Sequence, residues 1–353
     1  MVPSHYTIKL LHGQRGAVAI LFVLCLAVLL GFAALALDLA RLNLTKIELQ
    51  NAADAAALAG ARSLSDTQPP PGSLDHPYNW SAATATALVV AQRNVANASL
   101  IQNALIETGY WNLQYPALGL RGPSTPGVPV AGDVPAIRAT VVIDGTHNNG
   151  PFKFLFAPVF GITERNITAS AIAVLPAPGG GTGIFPMVIG SFMFDHYWDS
   201  ATRCPRLDPA TGKPYLLDIS IGSVYFGGDS GTWTTFTTQD NDVTTVRQLI
   251  AQGNPTNLSI GMETWIQTGV KDALFNDVPT NKDVAVFVVD NVNPGTWQPI
   301  VAIAGFHITG TGKTHGKSYI QGQFIENVLI GTTNPGSGNG LPLGAYTPSI
   351  LVE

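Results

Sequence analysis

AVAILFVLCLAVLLGFAALAL (residues 17–37) and DLARLNLTKIELQNAADAAALAGARSL (residues 38–64) follow one another without a proline or a turn signal between them. The first stretch carries no charge and no polar face. At the helical rise it spans roughly 31 Å, the hydrocarbon thickness of a bilayer. A helix buried in a soluble core would keep a polar stripe, and this one has none. The second stretch is polar, Ala-rich and made of strong helix formers, with Gly60 the exception. Together they predict one helix of roughly 70 Å, apolar for half its length. It must stop before Pro69, Pro70 and Pro71, which cannot continue a helix.

The flanks orient the apolar half. Lys9 and Arg15 precede it without an accompanying acid, and Asp38 and Arg41 follow it. The bias of basic residues toward the cytoplasm places residues 1–16 there as a leader, with 17–37 as a transmembrane helix and nearly all the rest outside. A cleavable signal would need a shorter apolar core, and its small-x-small site would be Ala34-Leu35-Ala36. The run is longer than that and continues as helix, so an uncleaved anchor is expected.

Residues 38–64 extend the same helix. Ala52, Ala56 and Gly60 recur every four residues, as do Ala53, Ala57 and Ala61. Such a face lets another element come close. It can pack on the chain's own globular part, or on other subunits or a second copy.

The run from Gln14 to Leu64, with RGAVAILF, ALDLARL and above all LQNAADAAALAGA, resembles the N-terminal region of TadG-like proteins, in the tight-adherence (Tad, or Flp) pilus-assembly group. FLFAPVFGITERNITASAIAVL (residues 154–175) is similar to such proteins less specifically. The resemblance implies a bitopic bacterial inner-membrane protein with a periplasmic domain and a part in pilus biogenesis. It implies no enzymatic activity. Related prepilins are cut after a glycine and carry Glu at the fifth mature position. Here the cut would fall between Gly16 and Ala17, but Leu21 stands at that fifth position, which argues against processing. Some longer relatives carry a metal-binding A domain. Asp218-Ile-Ser220-Ile-Gly222 departs from its motif at the third ligand and leads into a strand-like run, so no such metal site is expected.

Net charge is −5, which offers no basic footprint for nucleic acid. The two cysteines, Cys25 in the apolar run and Cys204 far beyond it, cannot pair within one chain of this topology. Beyond the helix, residues 65–178 read as a mixed α/β region. A loop leads to a helix over 82–98, then strands near 105–113 and 136–144, a short helix over 152–160 and a strand over 166–175. PAPGGGTG (residues 176–183) marks a boundary. Residues 184–331 carry short Val-, Ile-, Phe- and Thr-rich runs, with one helix near 244–252, and predict a sandwich- or barrel-like β-rich domain. Residues 332–353 read as a loosely ordered tail. The expected class is therefore α+β.

Several motifs look catalytic and are better read as structure. GTGKT (residues 310–314) has His307 where a phosphate-binding loop needs glycine, and strand-like sequence follows it. GDSG (residues 228–231) lacks a partner histidine segment and reads as a hairpin turn. Asp195, His196 and Asp199 read as solvated charges, not metal ligands. No nucleophile, base and orienter assemble. No catalytic residue, metal, cofactor or small-molecule substrate is expected, and the partners are the lipid bilayer and pilus-assembly proteins. A second reading is an anchored binding module for a glycan or a protein; Trp198, Trp233, Trp265 and Trp297 would then line a cleft. A minor pilin-like subunit, cut at Gly16, is a third.

Overall fold

The computed structural model describes residues 15–66, 78–200, 202–269, 271–314, 316–326, 328–330 and 341–353, with side chains from Val18 onward. Helix α1, Arg15–Ser63, is continuous. Its first half is apolar and exposed, and it alone among the described helices is long and apolar enough to cross a membrane. Burial begins at Asp38 and then follows the helical period through Thr45, Leu49, Ala52, Ala53, Ala56, Ala57, Ala61 and Leu64. Lys9 lies outside the described residues, as do the side chains of Arg15 and Ala17.

Helix α2, Trp80–Gln92, is capped by Asn79, whose side chain accepts the Ala82 N–H at 3.0 Å. It ends earlier than the sequence suggested. Asn97 and Ala98 adopt left-handed backbone, which turns Val95–Ala96 onto Ser99–Leu100 in a tight hairpin. Strands β1 (Leu105–Asn112), β2 (Asp133–Ile143) and β3 (Ile167–Val174) form an antiparallel sheet. The second half of α1 lies on β2 and β3, and α2 lies beside it, over β1. One core joins Leu49, Ala56, Ala83, Ala87, Ile137 and Ala171.

Residues 152–160 correct an expectation. They are not a helix. Phe152–Lys153 pairs with Glu164–Arg165, and only Ala157–Phe160 winds, as a 3-10 turn. Pro158 sits in its first turn, where a missing N–H costs nothing.

From Val174 the chain leaves this sheet and builds the β-rich part: β4 (Met187–Gly190), α3 (Phe192–Tyr197), β5 (Leu217–Ile219), β6 (Gly231–Phe236), α4 (Val243–Gln252), β7 (Glu263–Ile266), β8 (Lys282–Val289), β9 (Trp297–Thr314) and β10 (Lys317–Phe324). The order is β5-β10-β9-β7-β6-β4-β8, and β8 also pairs with β9. That pairing closes β9, β7, β6, β4 and β8 into a ring, which realises the barrel-like alternative. Only β4–β8 is parallel within the ring. Alternate residues of β8 feed two cores: Val284, Val286 and Val288 one, Ala285, Phe287 and Val289 the other. Phe192 to Phe194, strand-like in sequence, form the start of α3 instead.

The end of the chain is a second correction. Residues 331–340 lie outside the described residues, but the rest of the supposed loose tail is placed. Strand β11 (Val328–Leu329) pairs with β12 (Ala345–Tyr346), and β13 (Ile350–Leu351) returns to the first sheet as the outer neighbour of β3. The protein is α+β with a β-rich C-terminal part, and that part is inserted between two neighbouring strands of the first sheet.

Candidate functional site

Three places carry the chain's distinctive chemistry: the foot of α1 at Asp38, its Ala-rich face, and a buried arginine where the two parts meet.

Asp38 is the first charge after the apolar run and is only 2% exposed. Its carboxylate accepts backbone N–H groups from Leu155 (2.9 Å), Phe156 (2.8 Å) and Ala157 (2.8 Å). These are orphan donors at the start of the 3-10 turn, the kind of group that binds anions well. Burial alone would raise the Asp38 pKa, but the three N–H donors and Arg41 bring it below the ordinary carboxylate value. Arg41 lies 3.9 Å from Asp38 and 5.2 Å over the Phe152 ring. Two of the four flanking charges read from the sequence thus meet in one cluster. The loop that they hold lies in the stretch expected as a short helix, and an apolar run with one proline gives no sign of its partner.

The Ala-rich face is covered by the chain itself. Ala52, Ala53, Ala56, Ala57 and Ala61 have no exposure. A Cβ on Gly60 would stand 2.9 Å from the Ala87 Cβ and 3.1 Å from the Ala83 carbonyl oxygen. Gln50 reaches the Ser170 carbonyl on β3 at 3.1 Å. Contact with other subunits or a second copy through this face, one of the two alternatives, is corrected: α2 and the sheet already occupy it.

Arg203, on the loop after α3, crosses into the first part. It is 8% exposed, donates to the Asp133 carbonyl oxygen at 3.0 Å and lies 5.6 Å over the Tyr110 ring. Around it Tyr78 packs edge-on to Trp80, Tyr110 and Tyr346, and the Tyr346 hydroxyl donates to that of Tyr78 at 3.3 Å. Burial pushes the Tyr110 and Tyr346 phenols well above their ordinary values, so both stay neutral. Asp133 is meanwhile held by Arg121, by Asn112 at 2.9 Å and by the Val130 N–H at 2.7 Å. Arg203 adopts φ +58°, strained for a side chain with a Cβ, and its burial holds it there. A cleft of about 330 Å³ opens beside it, lined by Phe194, Asp195, Trp198 and Ser200.

The catalytic-looking motifs are built into the frame. Gly310–Thr314 runs in β9 against Lys317–Gln321, and among the described residues a strand follows it where a phosphate-binding loop needs a helix. Ser230 is fully buried, donating to the Asp218 carbonyl at 2.8 Å and accepting from the Ser220 N–H at 3.2 Å. The His196 ring stacks on Phe226 at 3.5 Å, and Asp199 accepts the Thr202 N–H. Among the described residues, no group of three or more His, Cys, Asp or Glu side chains could hold a metal ion. The four tryptophans do not converge. Trp198 and Trp233 are core residues, while Trp265 and Trp297 pair with each other across β7 and β9 at 5.4 Å.

A family model described as Flp pilus-assembly TadE/G-like matches residues 16–63, and one described as Tad-like Flp pilus-assembly matches residues 59–173. The second match covers α2 and the first three strands of the sheet. No curated protein and no solved structure matches the chain.

Proposed function

We propose, from the matches of residues 16–63 and 59–173 to Tad/Flp pilus-assembly family models, that this chain is an uncleaved, single-pass inner-membrane component of that apparatus. Its first helix half is the anchor and the second half is the stalk of a periplasmic body. The β-rich part offers surfaces for protein contacts, and the chain works by holding and touching rather than by chemistry. The carrying observation is that one unbroken helix is apolar and largely exposed up to Leu37, and from Asp38 on buries one face against the folded part of the chain. An apolar helix exposed on all sides needs lipid or protein around it. The N-terminal basic residues favour a cytoplasmic leader.

The test is complementation. Removing the gene should abolish sheared surface pili, and the full chain should restore them. A version starting at Asp38, exported by a cleavable signal, should be secreted and folded yet fail to restore them. Full restoration by that soluble version would sink the anchor's role in assembly.

A further inference from the structure

The hairpin that Asp38 holds presents an apolar tip to solvent. Leu155 is 63% exposed, Val159 86%, Phe160 66% and Ile162 55%. The base of the same hairpin is different: Phe152 is fully buried and packs edge-on with Phe154 at 5.2 Å. The sequence therefore buries apolar side chains at the base and displays them at the tip, with no polar residue between Leu155 and Ile162. Lys153, Glu164 and Arg165 stand exposed where the tip begins.

The position of the tip says what covers it. Asp38 directly follows the apolar run, and its carboxylate grips the backbone at Leu155, Phe156 and Ala157. The 3-10 turn rests on α1 at that level. The exposed tip is thus continuous with the exposed apolar surface of α1, whose Leu29, Leu30, Phe32 and Leu37 are equally bare. A soluble partner would have to cover the tip inside the headgroup layer.

We propose that residues 155–162 form a second membrane contact, a loop that seats its apolar side chains in the interfacial layer of the bilayer that α1 crosses. Aromatic and aliphatic side chains suit that layer, and the exposed Arg165 and the Lys153–Glu164 cross-strand pair stand at its polar edge. Two attachment points, a helix and a loop beside it, set the tilt and rotation of the body above the membrane. A single helix leaves both free. This inference rests on the anchoring proposed above, and the experiment separates the two.

The full chain is reconstituted into vesicles of phosphatidylcholine and phosphatidylglycerol, in a background carrying Cys25→Ala and Cys204→Ser. An environment-sensitive fluorophore is placed through Val159→Cys, Leu29→Cys or Val224→Cys, the last on an exposed hairpin of the β-rich part. Lipids carrying a nitroxide near the headgroup or deep in the chain serve as quenchers. Val159 is expected to emit to the blue of Val224 and to lose most emission to the shallow quencher, as for side chains seated about 5–10 Å into the interface. Leu29 should respond to the deep quencher and Val224 to neither. If Leu29 is quenched but Val159 behaves like Val224, the loop contact is wrong and the anchor stands. A blue-shifted Val159 that no lipid quenches would mean protein covers the tip, and overturns the proposal too. If Leu29 is not quenched, the anchor fails and the loop contact fails with it.

Discussion

Val174 and Ile350 are paired neighbours in adjacent antiparallel strands, although the whole β-rich part lies between them in the chain. The two connections run side by side: the Thr347 N–H donates to the Pro176 carbonyl at 3.0 Å, and the Ser349 hydroxyl reaches the Leu58 carbonyl on α1 at 3.1 Å. A part attached by two strands that are themselves paired cannot swivel as one on a single linker can. Removing residues 348–353 should strip the outer strand from β3, including the Val352 N–H bond to Ile172 and the Ile172 N–H bond to Glu353. At roughly 1 kcal/mol for each lost backbone bond, the first part should unfold at lower denaturant. Tryptophan fluorescence and limited proteolysis of the solubilised full chain would show it. An unchanged midpoint would mean that the returning strand does not support the sheet.

Arg203 joins the two parts from the other side. Arg203→Ala should cost about 2–3 kcal/mol, because it removes a charged hydrogen bond to Asp133 and leaves a gap among the tyrosines. Arg203→Lys should rescue little, since an ammonium cannot reproduce a planar group lying over the Tyr110 ring. Arg203→Gly should be less damaging than Arg203→Ala by about 1 kcal/mol, because glycine adopts the positive φ without strain. Denaturant midpoints of the three variants rank them, and an alanine variant as stable as the glycine one would contradict the strain.

Gly60 reports on the packing of α1 against α2. Alanine there should gain helix propensity, but its Cβ would meet Ala87 at 2.9 Å, and Gly60→Val should overpack the site by about 1–3 kcal/mol. A valine variant of unchanged melting temperature would show that the two helices have room to part.

Asp38 makes the foot of the stalk pH-sensitive in one direction. Its pKa is lowered in the folded chain, so its contribution is present above the ordinary carboxylate value of 3.8 and is lost as pH falls through the lower, folded value. Asp38→Asn should mimic the acid state at neutral pH. The Phe156 and Ala157 amides should then exchange faster with deuterium while those of β2 stay protected. Equal protection in both proteins would deny the carboxylate its grip on the loop.

Glu326 works the opposite way. It is 4% exposed, and burial pushes its pKa up to about 8 from 4.5. Between those values the folded chain holds a proton that the unfolded chain has released, so stability should fall as pH rises from about 4.5 to about 8 and level off above. Glu326→Gln should flatten that slope. Thermal midpoints across pH 5 to 8 check it, and a slope that survives the substitution belongs to other groups.

How much of this was legible in the sequence follows from where the signals are local. The continuous helix showed because residues 17–64 carry no proline and few residues besides Gly31 and Gly60 that oppose it, and β8 showed because four of the six residues Val284–Val289 are β-branched valines. The small-residue face was visible, but its spacing is the same whether it meets the chain's own sheet or a neighbour, so sequence could not choose. FKFLFAPVF looked helical because its strands are only two residues long and its apolar tip has no alternation. The returning strand at Ile350 was hidden among Gly and Pro, since edge pairing with β3 depends on where Val174 stands in space. The Arg203 cluster draws on Tyr78, Tyr110 and Tyr346, far apart in sequence, and no pattern links them.

Residues 15–63 should persist as one helix in the mature protein, anchored by its apolar half. Intact mass and N-terminal sequencing of the chain, recovered from carbonate-washed inner membranes and from sheared filaments, test it most directly. The chain should be found in the membrane fraction and begin upstream of Ala17. A chain beginning at Ala17 in the filaments, or near Leu37 in the soluble fraction, would contradict it.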